Sequence, residues 1–305
     1  MPLVSMSDLM QEAIRGKYAL GYFEAWDTYS VEAVLEAAEE ERSPVILGFG
    51  GMMLSQEWLD NGGIELLGTI GRAIAERSKV SVSLLLNELQ TLEQALRGMD
   101  AGINAVMVDT SDWAWEKAVE TVSQLACIAH RRGVTVEAEL GHLPDATATG
   151  IDDSTSHLTD PKQAAEFIAS TGADCLAVSI GNVHLLTAHD APVDLDRLEE
   201  IHQTVEVPLV IHGGTSFPAA AVPAAIELGV AKFNVGTVLK KQFLEGVRSQ
   251  LKTALNSADV HSVLGSHKDA DFLEAAKTSM KETVKSLMRV YGSSSRAAKS
   301  GAGRG

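Results

Sequence analysis

Two histidines and a scatter of carboxylates stand where apolar runs of the chain end. His184 follows CLAVSIG (175 to 181), and His212 lies within PLVIHGG (208 to 214). Two imidazoles with one carboxylate form a ligand set that suits a transition metal and leaves coordination positions free for substrate or water, as catalytic zinc requires. Glu88, at the end of VSVSLLLNE, is the carboxylate that completes the set. The competing reading makes each histidine a hydrogen-bonded core or loop residue; their shared placement at run ends, beside glycines, favours the metal. The same ends carry Glu24, Asp27, Asn87, Asp109, Asp112, Glu139 and Asn234.

A second chemistry sits beside the first. In IHGGTS, Gly213 and Gly214 permit close approach of a ligand, and the N–H groups around Thr215 and Ser216 can cradle an anion. Gly181 ends one run, and FNVGT places Asn234 at the end of another with Thr237 opening the following helical segment, a placement suited to phosphate.

These residues need a scaffold that brings run ends together. Eight apolar runs recur along the 305 residues: 19–25, 44–50, 80–86, 105–111, 135–141, 175–181, 208–214 and 232–236. Each is followed by a segment with apolar residues at helical spacing, the pattern of repeated βα units. Eight such units predict an α/β fold of the closed (β/α)8 TIM-barrel type, which places its chemistry at the C-terminal ends of the strands. One domain over 1–291 is expected, followed by a flexible tail, 292–305, with almost nothing to bury.

Local signals refine this plan. Ser30 is expected to cap a helix ending at Arg42, ahead of Ser43-Pro44; Asp160-Pro161 opens another, and Thr237 caps the helix after the last strand. The polar stretch 143–158 follows the fifth strand and reads equally as a mobile lid or a passive surface loop. Lys232 begins the eighth run and is expected to face the N-terminal, stability-bearing end of the barrel. Cys127 and Cys175 lie in apolar helix-like and strand-like contexts, which argues against a disulfide or a thiolate metal site.

Composition narrows the partners. A formal charge of −16 with 45% hydrophobic residues excludes nonspecific attraction to nucleic acid or anionic membrane. The N-terminus has neither a signal-peptide core nor a cleavage site, so a cytoplasmic protein acting on a small molecule is expected.

Longer motifs carry a resemblance. The segments VLEAAEEERSPVIL (34 to 47), GVTVEAELG (133 to 141), TDPKQAAEFIASTGADCLAVSIG (159 to 181), PLVIHGGTSFP (208 to 218) and AIELGVAKFNVGT (225 to 237) occur in order. Across nearly its full length the chain resembles the class II, metal-dependent fructose-bisphosphate and tagatose-bisphosphate aldolase family. The resemblance implies a divalent metal, most often zinc with manganese or cobalt as substitutes, that polarises a ketose during carbon–carbon cleavage without a Schiff-base lysine. It implies that His184 and His212 are metal ligands and that Gly181, Gly213 and Thr215 form a phosphate site. It also implies a substrate-binding role for Asn234 and a homo-oligomer, dimer or tetramer.

Departures from the family pattern are informative. Where the family has His-Leu-Asp-His, this chain has Leu85-Leu86-Asn87-Glu88, with a carboxylate in place of a ligand and an amide in place of the acid/base. An amide positions a hydroxyl but cannot exchange a proton near neutral pH. The family's AFNVNN-like segment is YFEAWD; Leu185 replaces a glycine, Ala188 a lysine and Gly236 an acidic residue. The expectation is a lyase with altered acid/base and phosphate recognition, in which Glu24, Asp27 or Asp109 takes over proton transfer. A metal-dependent epimerase or dehydratase, and a non-catalytic sugar-phosphate binder, are the alternatives.

Overall fold

The computed structural model describes residues 3–142, 146–147, 150–151, 158–183 and 191–297. Eight parallel strands close into a barrel: β1 Leu20–Glu24, β2 Val45–Gly50, β3 Val82–Leu89, β4 Ala105–Val108, β5 Thr135–Leu140, β6 Cys175–Val178, β7 Leu209–Ile211 and β8 Val230–Val235. They pair in chain order, and β8 returns to β1 with Tyr22 opposite Asn234. The predicted (β/α)8 architecture is the observed one.

Outward strand residues such as Phe23, Leu47, Leu84, Val106 and Phe233 pack against the helices in one continuous core. Inward residues form a second cluster, in which Met6, Leu9, Met10 and Ala13 of the N-terminal helix Met6–Gly16 meet Leu20, Ile46, Leu85 and Val210. The amphipathic N-terminus thus plugs one end of the barrel. The opposite end is left to polar residues.

Several local expectations change. The helix Thr28–Glu41 is capped by Asp27, whose carboxylate accepts from the Ser30 amide, and Ser30 is the third residue of this capping box. Asp27 is nearer the helix end and accepts at full negative charge, so it outcompetes Ser30 for the role. The helix ends at Arg42, as expected. Asp160 caps Pro161–Thr171 as expected, whereas Thr237 is the first helical residue of Thr237–Leu255 and Gly236 occupies the cap position.

Residues 292–297, assigned to the tail by composition, are tied to the barrel. Ser293 is buried with its hydroxyl 2.8 Å from that of Ser43, and the Ser295 and Ala297 amides donate to the Glu41 and Arg42 carbonyls. Backbone hydrogen bonds hold this segment where apolar burial is scarce. The remainder of the tail lies outside the described residues, as does most of 143–158, apart from a two-stranded ladder pairing Ala146–Thr147 with Gly150–Ile151. Both cysteines are free thiols. Among the described residues no helix is long and apolar enough to cross a membrane.

Candidate active site

Strand alternation stacks the interior in layers. Residues two apart on one strand face the same side, so Tyr22 and Glu24 on β1, Glu137 and Glu139 on β5, and Lys232 and Asn234 on β8 all point inward. Val210 and then His212, just past β7, do the same. In the lower polar layer Lys232 Nζ lies 2.8 Å from Glu137 Oε2, both side chains fully buried, and also bonds Asn234 Oδ1. Lys232 therefore does not face the N-terminal end, because its buried ammonium is held inside the barrel by the Glu137 carboxylate and Asn234 Oδ1.

One layer up, His212 is surrounded by carboxylates. Its Nε2 lies 2.9 Å from Glu137 Oε1, and its Nδ1 lies 2.9 Å from Glu139 Oε2 and 3.2 Å from Glu88 Oε1. Burial opposes charge on the ring, but Glu139, Glu137 and Glu88 together hold its pKa well above the usual histidine value. Burial likewise opposes ionisation of Glu137, yet Lys232 and His212 hold its carboxyl below the ordinary range. Three carboxylates against the Lys232 ammonium and the protonated His212 ring leave a surplus of one negative charge. A ring nitrogen flanked by two carboxylates brings together residue types that ligate divalent cations.

Glu88 reaches this position through an irregularity. The β3–β4 register shifts between Leu86 and Leu89, and Glu88 adopts φ 53°, in the left-handed region. This backbone costs about 1 kcal/mol for a residue with a side chain. On a regular strand Asn87 and Glu88 would face opposite sides; here both line one cavity. The strand does not stop at Leu86 but bends, and runs on to Leu89.

That cavity, of about 140 Å³, is bounded by Tyr22, Glu24, Gly50, Met53, Asn87, Glu88, Gly213, Thr215, Asn234, Gly236, Thr237 and Lys240, with the Val235 backbone between. Three buried polar atoms on these residues, Tyr22 Oη, Asn87 Oδ1 and Asn234 Nδ2, lack a hydrogen-bond partner. Buried polar groups without partners are costly and mark places where a ligand completes the bonding. Lys240 Nζ sits 2.6 Å from Glu24 Oε1. Burial pushes the Glu24 carboxyl above its usual range, against the pull of Lys240 and with added repulsion from Glu88.

A family model described as fructose-bisphosphate aldolase class-II matches residues 4–296. The chain belongs to this family. It is 35% identical over 300 residues to a fructose-bisphosphate aldolase of Geobacillus stearothermophilus, covering 98% of this chain and 100% of that one. A probable fructose-bisphosphate aldolase of Bacillus subtilis strain 168 is 35% identical over 306 residues, covering 97% and 100%. Among solved structures, the YdjI aldolase of Escherichia coli K12 is similar with a TM-score of 0.78 at 27% identity, over 97% of this chain and 100% of that one.

Set against this family, the residues singled out from sequence separate into groups. Glu24, Asn87, Glu88, Gly213, Thr215, Asn234 and Thr237 line the cavity, and His212 lies behind Glu88. Asp27 is committed to capping, and Asp109 accepts from the Ser111 amide and hydroxyl at 3.0 and 2.7 Å. The Ser216 hydroxyl donates back to the loop at the Val183 and Gly213 carbonyls. Gly181 turns the chain after β6 at φ 96° and does not border the cavity. Gly213, at φ 67°, is needed sterically as well, since a Cβ there would meet the Val183 carbonyl at 2.4 Å. His184, Leu185 and Ala188 lie outside the described residues.

Sequence reasoning did not single out Glu137, Tyr22 and Lys240, placed Lys232 at the wrong end of the barrel, and left Glu139 without a role. Asn182 was also missed; buried, it donates to the His212 carbonyl at 2.9 Å and fixes the β7 exit. The available signal was parity, because Glu137 is two residues before Glu139 and Lys232 two before Asn234.

Proposed function

We propose that the protein is a divalent-metal-dependent lyase that breaks and forms a carbon–carbon bond in a sugar-derived hydroxy-ketone. The observation that carries this reading is the convergence of Glu88 and Glu139 on His212 Nδ1, beside a cavity with unsatisfied neutral polar atoms. Glu88, Glu139 and His212 would hold the metal, with His184 as the further ligand expected from sequence. Zinc is the first choice, and manganese or cobalt are substitutes. A bound divalent cation supplies Lewis-acid polarisation of a carbonyl.

The protein's own groups do the remaining work. Glu137, itself held by Lys232, fixes the His212 ring through Nε2, the usual means of orienting a ligating imidazole. Asn87 Oδ1 accepts a substrate hydroxyl and Asn234 Nδ2 donates to a substrate oxygen. Of the three carboxylates expected for proton transfer, Glu24 is the one bordering the cavity. It takes the proton of the hydroxyl whose carbon–carbon bond breaks; the bonding electron pair passes to the ketone half, and a proton is returned to that carbon. A carboxylate with a raised pKa suits both halves of this transfer. The working unit is a homo-oligomer, for which the exposed Leu244, Leu251 and Leu255 of the helix Thr237–Leu255 supply apolar surface.

The test is metal analysis combined with product analysis over a panel of hydroxy-ketones. The expected result is about one equivalent of divalent metal per chain and two carbon fragments per turnover. In His212→Ala both metal and activity are lost, the latter by about three orders of magnitude, or ~4 kcal/mol. A metal-free protein whose activity survives His212→Ala refutes the assignment. A product with an unchanged carbon count indicates an epimerase or dehydratase, and binding without turnover a sugar-binding homologue, which the Asn87 amide would suit.

A further inference from the structure

We propose that Glu24 fills the anion-binding corner of the cavity from within the protein, so that the substrate end seated there is an uncharged, hydroxyl-bearing group and not a phosphate. The inference rests on the reading of this cavity as the site for a hydroxy-ketone, and it names the chemistry of one end of that ligand.

The corner is built to receive negative charge. The helix Thr237–Leu255 starts there with no cap from its own N-cap residue, Gly236, and Thr215 Oγ1 accepts from the Val238 amide at a long 3.4 Å. The positive end of a 19-residue helix and the ammonium of Lys240 both favour an anion. The Glu24 carboxylate supplies it, with Oε1 2.6 Å from Lys240 Nζ. The pair is locally neutral. Among the described residues, no further cation of this corner remains to balance a phosphate dianion.

The surrounding sequence has made room for this carboxylate. A Cβ at position 236 would fall 2.1 Å from Glu24 Oε2, so the carboxylate would have to leave its present place. Gly236 has φ −132°, so its backbone does not demand a glycine; the space does. On the other flank, a Cβ at Gly50 would come within 3.2 Å of Glu24 Oε1. Glu24 and Gly236 are thus one steric unit.

The remaining walls favour hydroxyls over phosphate. Asn87 Oδ1, Asn234 Nδ2 and Tyr22 Oη are buried, unpartnered and neutral. They offer an acceptor, a donor and a group that can act as either, which complement hydroxyl and carbonyl oxygens. Lys232 is too committed to help, since Glu137 and Asn234 hold its ammonium below. A phosphate entering here would meet Glu24 and Glu88 together.

The test is calorimetric titration of the full-length, zinc-loaded protein with dihydroxyacetone, dihydroxyacetone phosphate and inorganic phosphate. Binding is measured in place of turnover because Glu24 also serves in proton transfer. Wild type is expected to bind dihydroxyacetone at least as tightly as its phosphate, and to ignore inorganic phosphate. Glu24→Gln, which removes the charge and frees Lys240, is expected to improve phosphate-ester affinity relative to dihydroxyacetone by roughly tenfold. Gly236→Ala, which expels the carboxylate by contact, is expected to move the ratio the same way. A wild-type preference for the phosphate ester, or a ratio unchanged in both variants, overturns the proposal. If wild type binds neither ketone, the hydroxy-ketone reading fails instead; the corner is then judged by inorganic phosphate alone, whose binding to Glu24→Gln but not to wild type sustains the proposal and whose equal behaviour toward both refutes it.

Discussion

The barrel mouth and the seam between the helices Thr28–Glu41 and Phe272–Val290 are both rich in charge, yet they are organised on opposite principles. Along the seam, Lys277, Lys281 and Lys285 recur every fourth residue and meet Glu32, Glu36 and Glu40 at the same spacing. Lys277 lies 3.3 Å from Glu32, 2.9 Å from Glu36 and 2.9 Å from Glu274, and Arg289 closes the row on Glu41. Four-residue spacing puts each row on one helix face, so the two faces interlock with opposite signs. At the mouth, three carboxylates crowd one imidazole and three buried polar atoms lack partners. The seam is complete in the protein alone. The mouth, among the described residues, leaves buried polar atoms without partners.

The contrast also bears on a metal-like grouping on the seam. Glu32, His267 and Glu274 are close enough to ligate an ion. The Lys277 ammonium already bridges Glu32 and Glu274, and the His267 ring stacks on Tyr29 with 4.5 Å between centroids. A resident cation satisfies these carboxylates.

The sharpest way to break the comparison is to remove the lysine buried beneath the mouth. Lys232→Met leaves the Glu137 charge buried and opposed only by His212, and is expected to destabilise the fold by about 3–5 kcal/mol in chemical denaturation. Adding Glu137→Gln to the same chain is expected to restore a large part of that loss. If Lys232→Met is neutral, the lower layer is not an ion pair that the fold depends on.

Much of the fold was legible because each strand is a short, mostly apolar run whose outward residues face helices; the predicted eight coincide with the observed eight to within a few residues. The end of β3 was not. Nothing in Leu85-Leu86-Asn87-Glu88 announces a residue at φ 53°, so alternation could not show that Asn87 and Glu88 share one side. Site residues beyond strand ends were legible by residue type, but type alone does not separate a free carboxylate from one already engaged: Asp27 and Asp109 carry the right group and spend it on backbone amides. Glu137 and Lys232 were hidden for another reason. A charged side chain within an apolar run is seen as a partner for its neighbour only when two strands distant in sequence are placed side by side.

A smaller effect tests the upper end of the seam. Asp271 is buried and accepts from the Tyr29 hydroxyl at 2.9 Å and from the Ser266, His267 and Leu273 amides at 2.7, 3.0 and 3.0 Å. Burial works against its ionisation, but the Leu273 amide, the Tyr29 hydroxyl and the other amides outweigh it and hold its pKa below the usual range. A depressed carboxyl contributes stability above its unfolded pKa of about 3.9 and loses it as pH falls through the folded value. Asp271→Asn is therefore expected to cost about 1.5–3 kcal/mol at pH 7. The difference from wild type in thermal denaturation should shrink steadily below about pH 4. A gap that stays constant into acid would mean that the shape of the side chain matters and its charge does not.

The smallest effect is expected where pairing is most complete. Lys281 lies 3.1 Å from Glu36 and 2.9 Å from Glu40, carboxylates that remain more than a third exposed to water. Solvent and salt screen such pairs, and the stem of the lysine gives up rotamer freedom to form them, so Lys281→Ala should cost less than about 1 kcal/mol. Half a molar salt should abolish most of that difference, whereas the loss in Lys232→Met, arising in a layer that neither water nor ions enter, should persist at the same ionic strength. Equal salt sensitivity in the two variants would erase the distinction between seam and mouth, because it would place the Lys232 pair in the same screened environment as the surface ladder.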